Sequence, residues 1–296
     1  MQNYVEPFFG SGAVLLGRPD PHGTETVNDV DGFVANFWRA LQHDPDAVAH
    51  HADNPVNEND LHARHVHLVN IRPSFVPRLE GDPDFYDAKI AGWWCWGLCC
   101  WIGPGWCFGG GPWNVDNEGK LVNLSAGQGV NRKRVHLGDA GQGVNRQRIH
   151  LGNAGRVEWM RALAERLRGV RVCCGDWSRV CGPTPTAKLG LTGVVLDPPY
   201  SAEVRVLGLY SVDDGTVSTK VREWALSRGD DTQMRIALCG YDTEHVMPGW
   251  EAVPWTASGG YSSQAKGGDN GNKYREVVWF SPHCLKPLPE QVGLFT

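Results

Sequence analysis

A buried strand that stops at two consecutive prolines is the feature that most constrains this fold. The stretch Val194–Tyr200 reads VVLDPPY, and its apolar start is typical of a strand buried on both faces. Proline cannot donate a hydrogen bond to a neighbouring strand, so the strand must end at Leu196. We therefore predict a stiff loop at the C-terminal edge of this strand, where ligands bind in open α/β sheets.

The side chains of this loop match a planar ring that carries an amino group. Asp197 and the carbonyl of Pro198 offer hydrogen-bond acceptors, and Pro199 keeps them from turning away. Tyr200 offers a flat face on which a ring can stack. The alternative interpretation is a plain β-turn that contains an acid, because Asp-Pro and Pro-Pro pairs mark turns.

The N-terminal stretch Tyr4–Leu16 predicts a strand, a glycine turn and an apolar helix. Gly10 and Gly12 allow the backbone to approach a ligand closely, and the helix N-terminus after them favours polar or anionic groups. The third glycine of a dinucleotide fingerprint is missing, which disfavours NAD as a ligand.

Acidic residues follow two further predicted strands. Asp29 ends the second strand, where an acid can hold ribose hydroxyls, and Asp31 precedes an apolar helix as its N-cap. Asp176 and Trp177 end the predicted strand stretch at 170–177 and can hold an amino group and stack on a ring. The alternative for this pair is capping of the strand end together with a core tryptophan.

Strands and helices alternate along the chain, which predicts an α/β fold with a mainly parallel sheet. The remaining predicted elements are helices within 61–102 and at 158–168 and 218–228, strands at 234–239 and 275–280, and a polar surface loop at 43–60.

Composition narrows the class of protein. The nine cysteines are an odd number and no signal-peptide pattern opens the sequence, so we expect free thiols and a cytoplasmic location. The four cysteines between positions 95 and 107 contain no CxxC pair, and we predict no metal site.

Residues 90–115 carry no charge, but Pro104 interrupts them too early for a membrane span, which needs about 20 residues. We predict a buried tryptophan-rich helix there and no membrane association.

A 14-residue repeat concentrates positive charge in a chain whose net charge is −5. Residues 126–139 read AGQGVNRKRVHLGD, and residues 140–153 read AGQGVNRQRIHLGN. Its basic side chains, the type that contacts phosphates and base edges, are Arg132, Lys133, Arg134, Arg146 and Arg148. The pattern favours contact with nucleic acid, and the alternative is a low-complexity solvated loop.

Taken together, the glycine turn, the acids after the second and third strands and the Asp-Pro-Pro-Tyr loop resemble the Dam-type family of DNA adenine-N6 methyltransferases, particularly phage-like members. The resemblance implies a Rossmann-like S-adenosylmethionine-dependent methyltransferase sheet, with residues 1–42 and 157–296 as the catalytic domain. Residues 43–156 occupy the place of an inserted, partly helical target-recognition region that contains the basic repeat at 126–155.

The resemblance also implies roles for individual residues. The cofactor turn comprises Glu6, Pro7, Phe8, Gly10 and Gly12. Asp29 holds the ribose of S-adenosylmethionine, and Asp176 with Trp177 holds its adenine. Asp197 and Pro198 accept hydrogen bonds from the target amine, Pro199 stiffens the loop and Tyr200 stacks on the base, which must leave the DNA duplex.

Double-stranded DNA is the implied partner, in a bacterial or phage-infected cell. Family members usually carry a Gly-Gly-Lys-containing segment ahead of the cofactor turn, whereas this sequence begins at the first strand, so weaker cofactor binding is expected. Two alternatives stay open. One is methylation of an amine in RNA or protein, and the other is a non-catalytic DNA-binding protein descended from a methyltransferase.

Overall fold

The computed structural model describes residues 1–19, 23–101, 105–107, 113–115, 121–123, 153–200, 216–255 and 275–286. The strands are β1 (Asn3–Glu6), β2 (Thr24–Asp29), β3 (Trp113–Val115), β4 (Leu121–Asn123), β5 (Val170–Cys174), β6 (Thr192–Leu196), β7 (Met234–Tyr241), β8 (Glu251–Pro254) and β9 (Glu276–Phe280). The helices are α1 (Ala13–Gly17), α2 (Gly32–His43), α3 (Pro45–His51), α4 (Glu58–Gly81), α5 (Ala88–Cys100), α6 (Asn153–Leu167), α7 (Ser178–Cys181) and α8 (Val217–Arg228).

Seven strands form one sheet in the order β5-β2-β1-β6-β7-β9-β8. Neighbours from β5 to β7 pair in parallel, whereas β9 is antiparallel to both β7 and β8. This arrangement confirms the predicted α/β fold with a mainly parallel sheet. The chain places β2 and β5 on one side of β1 and then β6 and β7 on the other, so the strand order reverses between β1 and β6. A ligand crevice is expected outside the carboxyl ends of these two strands.

Side chains alternate between the two faces of the sheet, and each face is covered by helices. Tyr4, Val27 and Val170 lie in one apolar cluster, which also contains residues of α2, α3, α5 and α6. Val5 and Val194 lie in the opposite cluster, with residues of α7 and α8. Both faces are therefore shielded from water, which explains the continuous apolar runs of the central strands.

Helices α2, α4 and α5 enclose a third apolar cluster beside the sheet. It contains Phe33, Phe75, Leu79 and Trp106. The assignment of residues 43–156 to target recognition stays a prediction, but α3 and α5 from this region contribute Val48, Ala49 and Ala91 to the same core as β1.

The predicted surface loop at 43–60 is wrong, because most of it is helical. Asp44 caps α3, where it accepts a hydrogen bond from the Ala47 N–H at 3.0 Å. Asn57 caps α4 in the same way and accepts from the Asp60 N–H at 2.8 Å. Asp44, Pro45 and Asp46 belong to the start of α3, and Glu58 and Asp60 to the first turn of α4, whereas Asp53 and Pro55 lie in the short connection between the two helices.

The helical prediction for 61–102 is confirmed, although two helices share it. Asp82 ends α4, and Asp87 caps α5 by accepting from the Ile90 N–H at 2.9 Å. Helix α5 ends at Cys100, before the Gly-Pro-Gly break that the sequence indicates. Within the part of the chain that the structure describes, no helix is long and apolar enough to cross a membrane.

Candidate active site

The glycine turn between β1 and α1 is shaped by packing below it and leaves space above. Gly10 and Gly12 have φ angles of 47° and 68°, in the left-handed region that favours glycine. A Cβ on Gly12 would lie 2.8 Å from the Phe9 ring, whereas a Cβ on Gly10 would meet no atom within 4 Å. The Trp38 indole N–H donates to the Gly10 carbonyl at 3.0 Å and fixes the turn. The backbone at Gly10 therefore has free space beside it, into which a ligand could fit.

Asp29, the last residue of β2, fixes this turn through hydrogen bonds. Its two carboxylate oxygens accept the N–H groups of Gly10 at 2.9 Å and Asp31 at 2.8 Å. Burial raises the pKa of Asp29 to about 6, while these two hydrogen bonds lower it. The side chain is partly accessible, and further lone pairs remain to accept hydroxyl groups. Asp31 caps α2 by accepting from the Phe33 N–H at 2.9 Å, as the sequence indicates.

Glu6 lies beneath the turn and is almost fully buried. The Tyr4 hydroxyl donates to its carboxylate at 2.8 Å, and the nearby Leu15 backbone N–H lowers its pKa. Burial raises the pKa of Glu6 to about 7, and the charge of Asp197 raises it further. The structure therefore brings Glu6 near Asp197 but directs it towards the protein interior.

The loop after β5 contacts the loop after β1. The Trp177 ring stacks on Phe8 with centroids 6.2 Å apart and an interplanar angle of 28°. Asp176 is exposed and accepts hydrogen bonds from the Ser178 N–H, at 2.9 Å, and the Ser178 hydroxyl. Both bonds go to one oxygen, Oδ1, so they close the turn before α7 and leave the second carboxylate oxygen available to a ligand.

The Asp-Pro-Pro-Tyr loop leaves β6 at the reversal of strand order. Asp197 is accessible to solvent, Pro198 is buried and Tyr200 is half-buried. Surrounding protein raises the pKa of Asp197 to about 6, and the charges of Glu276 and Glu244 also raise it. Solvent therefore reaches Asp197, although protein atoms lie close to its carboxylate. Pro199 is also half-buried in this loop.

Glu276 and Tyr241 belong to this site although the sequence analysis did not identify them. The Tyr200 hydroxyl donates to the Glu276 carboxylate at 2.6 Å. The Tyr241 ring lies edge-on to the Tyr200 ring, with centroids 4.6 Å apart. Glu276 is the first residue of β9, and because β9 is antiparallel its start lies at the carboxyl edge of β7. The orientation of that strand, which no sequence signal gave, brings Glu276 to Tyr200.

Cys239 lies near these acids on β7, and burial raises the pKa of its thiol well above the ordinary value. A thiol in that state is a poor nucleophile, so Cys239 does not suit covalent catalysis. Residues 1–19, 23–101 and the other described ranges contain no group of three or more His, Cys, Asp or Glu side chains that could hold a metal ion. The predicted DNA-binding residues Arg132, Lys133, Arg134, Arg146 and Arg148 lie outside the described residues.

The N-terminal part of the sequence, which contains the glycine turn, matches a known protein family. The family model for D12 class N6 adenine-specific DNA methyltransferases matches residues 1–85, which contain the glycine turn, Asp29 and helices α1 to α4. No curated protein matches the chain. The match agrees with the resemblance seen in the sequence: residues 1–85 are similar to the D12 class of N6 adenine-specific DNA methyltransferases, a family of enzymes.

Proposed function

We propose that this protein is a site-specific DNA methyltransferase that transfers a methyl group from S-adenosylmethionine to the N6 amine of a flipped adenine. The observation that carries the proposal is the accessible Asp197 carboxylate at the carboxyl end of β6, next to the strand that enters the glycine turn. An acceptor for an amine and a cradle for a cofactor thus lie at the same reversal of strand order.

The residues present fit S-adenosylmethionine. The open backbone at Gly10, the partly accessible Asp29 carboxylate and the Phe8–Trp177 stack line the carboxyl ends of three adjacent strands. Asp29 would accept the ribose hydroxyls, and Trp177 would pack against the adenine ring. When bound, this cofactor supplies an electrophilic methyl group on a sulfonium leaving group.

The Asp-Pro-Pro-Tyr loop would hold the target base. Asp197 and the Pro198 carbonyl accept hydrogen bonds from the two N–H groups of an exocyclic amine, which directs the nitrogen lone pair towards the methyl carbon. Tyr200 stacks on the base, and its position is fixed by Glu276. A base inside a duplex cannot reach this loop, so the proposal includes base flipping. Positioning and electrostatics supply the acceleration, and no covalent enzyme intermediate is required.

The direct test is transfer of a tritiated methyl group to unmethylated DNA, with N6-methyladenine identified after digestion. Wild type should label DNA, and Asp197→Ala should not, while Asp230→Asn, which changes an exposed acid after α8, should behave as wild type. Label in RNA or in protein instead of DNA would contradict the choice of substrate. Absence of S-adenosylmethionine binding by calorimetry would favour a non-catalytic DNA-binding protein.

The basic repeat at 126–155 is proposed to contact DNA phosphates. Replacing Arg132, Lys133, Arg134, Arg146 and Arg148 by glutamine removes five positive charges. Each phosphate contact contributes about −0.9 to the slope of log K against log salt concentration. Glutamine substitution should weaken duplex binding and flatten that slope, whereas an unchanged slope would exclude this segment from the interface.

A further inference from the structure

Asn28 lies at a junction that neither the sequence motifs nor the family match explains. It is the penultimate residue of β2, the strand between β5 and β1, and its side chain is 1% exposed. Its amide nitrogen donates to the Pro7 carbonyl at 3.1 Å and to the Gly175 carbonyl at 2.9 Å. One side chain therefore joins the loop after β1 to the loop after β5.

The backbone strengthens the same junction. The Phe9 N–H donates to the Asn28 carbonyl at 2.9 Å, and the Gly175 N–H donates to the Asp29 carbonyl at 3.1 Å. The Phe8–Trp177 stack connects the same two loops. The separation of these loops is therefore set by contacts at the end of β2.

Asparagine suits this position because its short side chain carries two N–H donors on one nitrogen. The two partners are both carbonyls, so the nitrogen must face them, and an aspartate would oppose them with acceptors only. Among the described residues, the Asn28 Oδ1 atom is buried and has no hydrogen-bond partner. Burying an unpaired acceptor is unfavourable, and the two hydrogen bonds that the Asn28 amide nitrogen donates offset this cost.

We propose that Asn28 is a positioning residue for the cofactor, which fixes the distance between the glycine-turn loop and the Gly175–Trp177 loop. The inference rests on the proposed function, because these are the two loops assigned to S-adenosylmethionine. Asn28 acts through Pro7 and Gly175 and does not touch the reacting atoms.

Calorimetric titration of the full chain with S-adenosylmethionine tests this role. Asn28→Ala and Asn28→Asp should each raise the Kd at least about tenfold. Thr26→Val is the matched control, since the Thr26 hydroxyl on the same strand is also buried and without a partner among the described residues. It should change the Kd less than about twofold. A merely structural role would lower the melting temperature but leave the Kd unchanged at temperatures well below melting.

Hydrogen exchange on the wild type keeps the test independent of whether the variants fold. The amides of Phe9 and Gly175 should gain protection together when S-adenosylmethionine binds. Wild-type affinity in folded Asn28 variants, or protection of only one of the two amides, would overturn the inference. Failure of the wild type to bind S-adenosylmethionine would instead refute the proposed function, so the two failures are distinguishable.

Discussion

Replacing Asp197 by asparagine is expected to stabilise the protein at neutral pH while it impairs methyl transfer. The fold raises the pKa of this carboxyl from 3.8 to about 6. Because the pKa of Asp197 is higher in the folded state than in the unfolded state, folding is more favourable when this carboxyl is protonated and neutral. The stability that the neutral form contributes is complete below pH 3.8 and is lost as the pH rises through about 6. At neutral pH the fold therefore holds an ionised group that destabilises it, and an amide of the same shape removes that charge.

The size of the gain follows from the shift. About two pKa units at ~1.4 kcal/mol each set an upper limit of about 3 kcal/mol. Because Asp197 is accessible to solvent, screening reduces this to about 1 kcal/mol. For a chain of this size, a change of that magnitude corresponds to a melting temperature about 2–4 °C higher. Asparagine keeps one acceptor oxygen but loses the charge, so kcat/KM should fall about tenfold.

Thermal denaturation followed by circular dichroism at pH 8 and pH 4.5 measures the gain. The variant should melt higher than wild type at pH 8, and the difference should shrink at pH 4.5, where much of the wild-type carboxyl is protonated. Asp230→Asn should show neither effect. A lower melting temperature for Asp197→Asn at pH 8, or a gain equal at both pH values, would show that burial does not destabilise the ionised carboxylate.

Three further outcomes are expected. Gly12→Ala places a side chain at a φ of 68° and against an aromatic ring, so the free energy of unfolding should fall by about 3 kcal/mol, whereas Gly17→Ala, which meets open space, should be neutral or slightly stabilising in the same melts. Burial lowers the pKa of His65 from 6.5 to about 4, so stability should be lost as the pH falls from 6.5 towards 4, and His65→Phe should remove this part of the acid sensitivity measured by urea titration at each pH. Tyr200→Phe keeps the ring but removes the donor to Glu276, so kcat/KM for methyl transfer should fall about tenfold. Glu276→Gln keeps an acceptor for the Tyr200 hydroxyl, so its kcat/KM should fall by less than that of Tyr200→Phe.

The strands that end in the candidate site residues could be predicted from the sequence because each combines an apolar run with an abrupt stop. The prolines after Leu196 and the cap at Asp31 are local signals, and the structure places both where the sequence indicates. Local signals also misled, since the acids and prolines around Pro45 were interpreted as a loop although Asp44 and Asn57 cap helices. Capping residues and loop residues have the same composition, and only the apolar residues that follow distinguish them.

Strand order explains what the sequence could not give. Glu276 reaches Tyr200 because β9 is antiparallel to β7, and Asn28 joins two loops because β2 lies between β1 and β5. Neither partner is close in the chain, since 76 residues separate Tyr200 from Glu276 and 147 separate Asn28 from Gly175. Such contacts follow from the topology of the whole sheet rather than from any spacing within a segment.

The acids of this edge differ in the internal donors that reach them. Glu6 receives the Tyr4 hydroxyl and Asp29 receives two backbone N–H groups, although burial still raises the pKa of both carboxyls. Asp197 and Glu276 instead lie near one phenol, Tyr200, whose hydroxyl donates to Glu276 at 2.6 Å, while a hydrogen bond from the same residue lowers the pKa of Asp197. Asp197 therefore keeps acceptor capacity at an accessible position where protein surroundings disfavour its charge. In the proposed function an exocyclic amine would bring donors to that position, and a raised acid pKa such as that of Asp197 is common at functional sites.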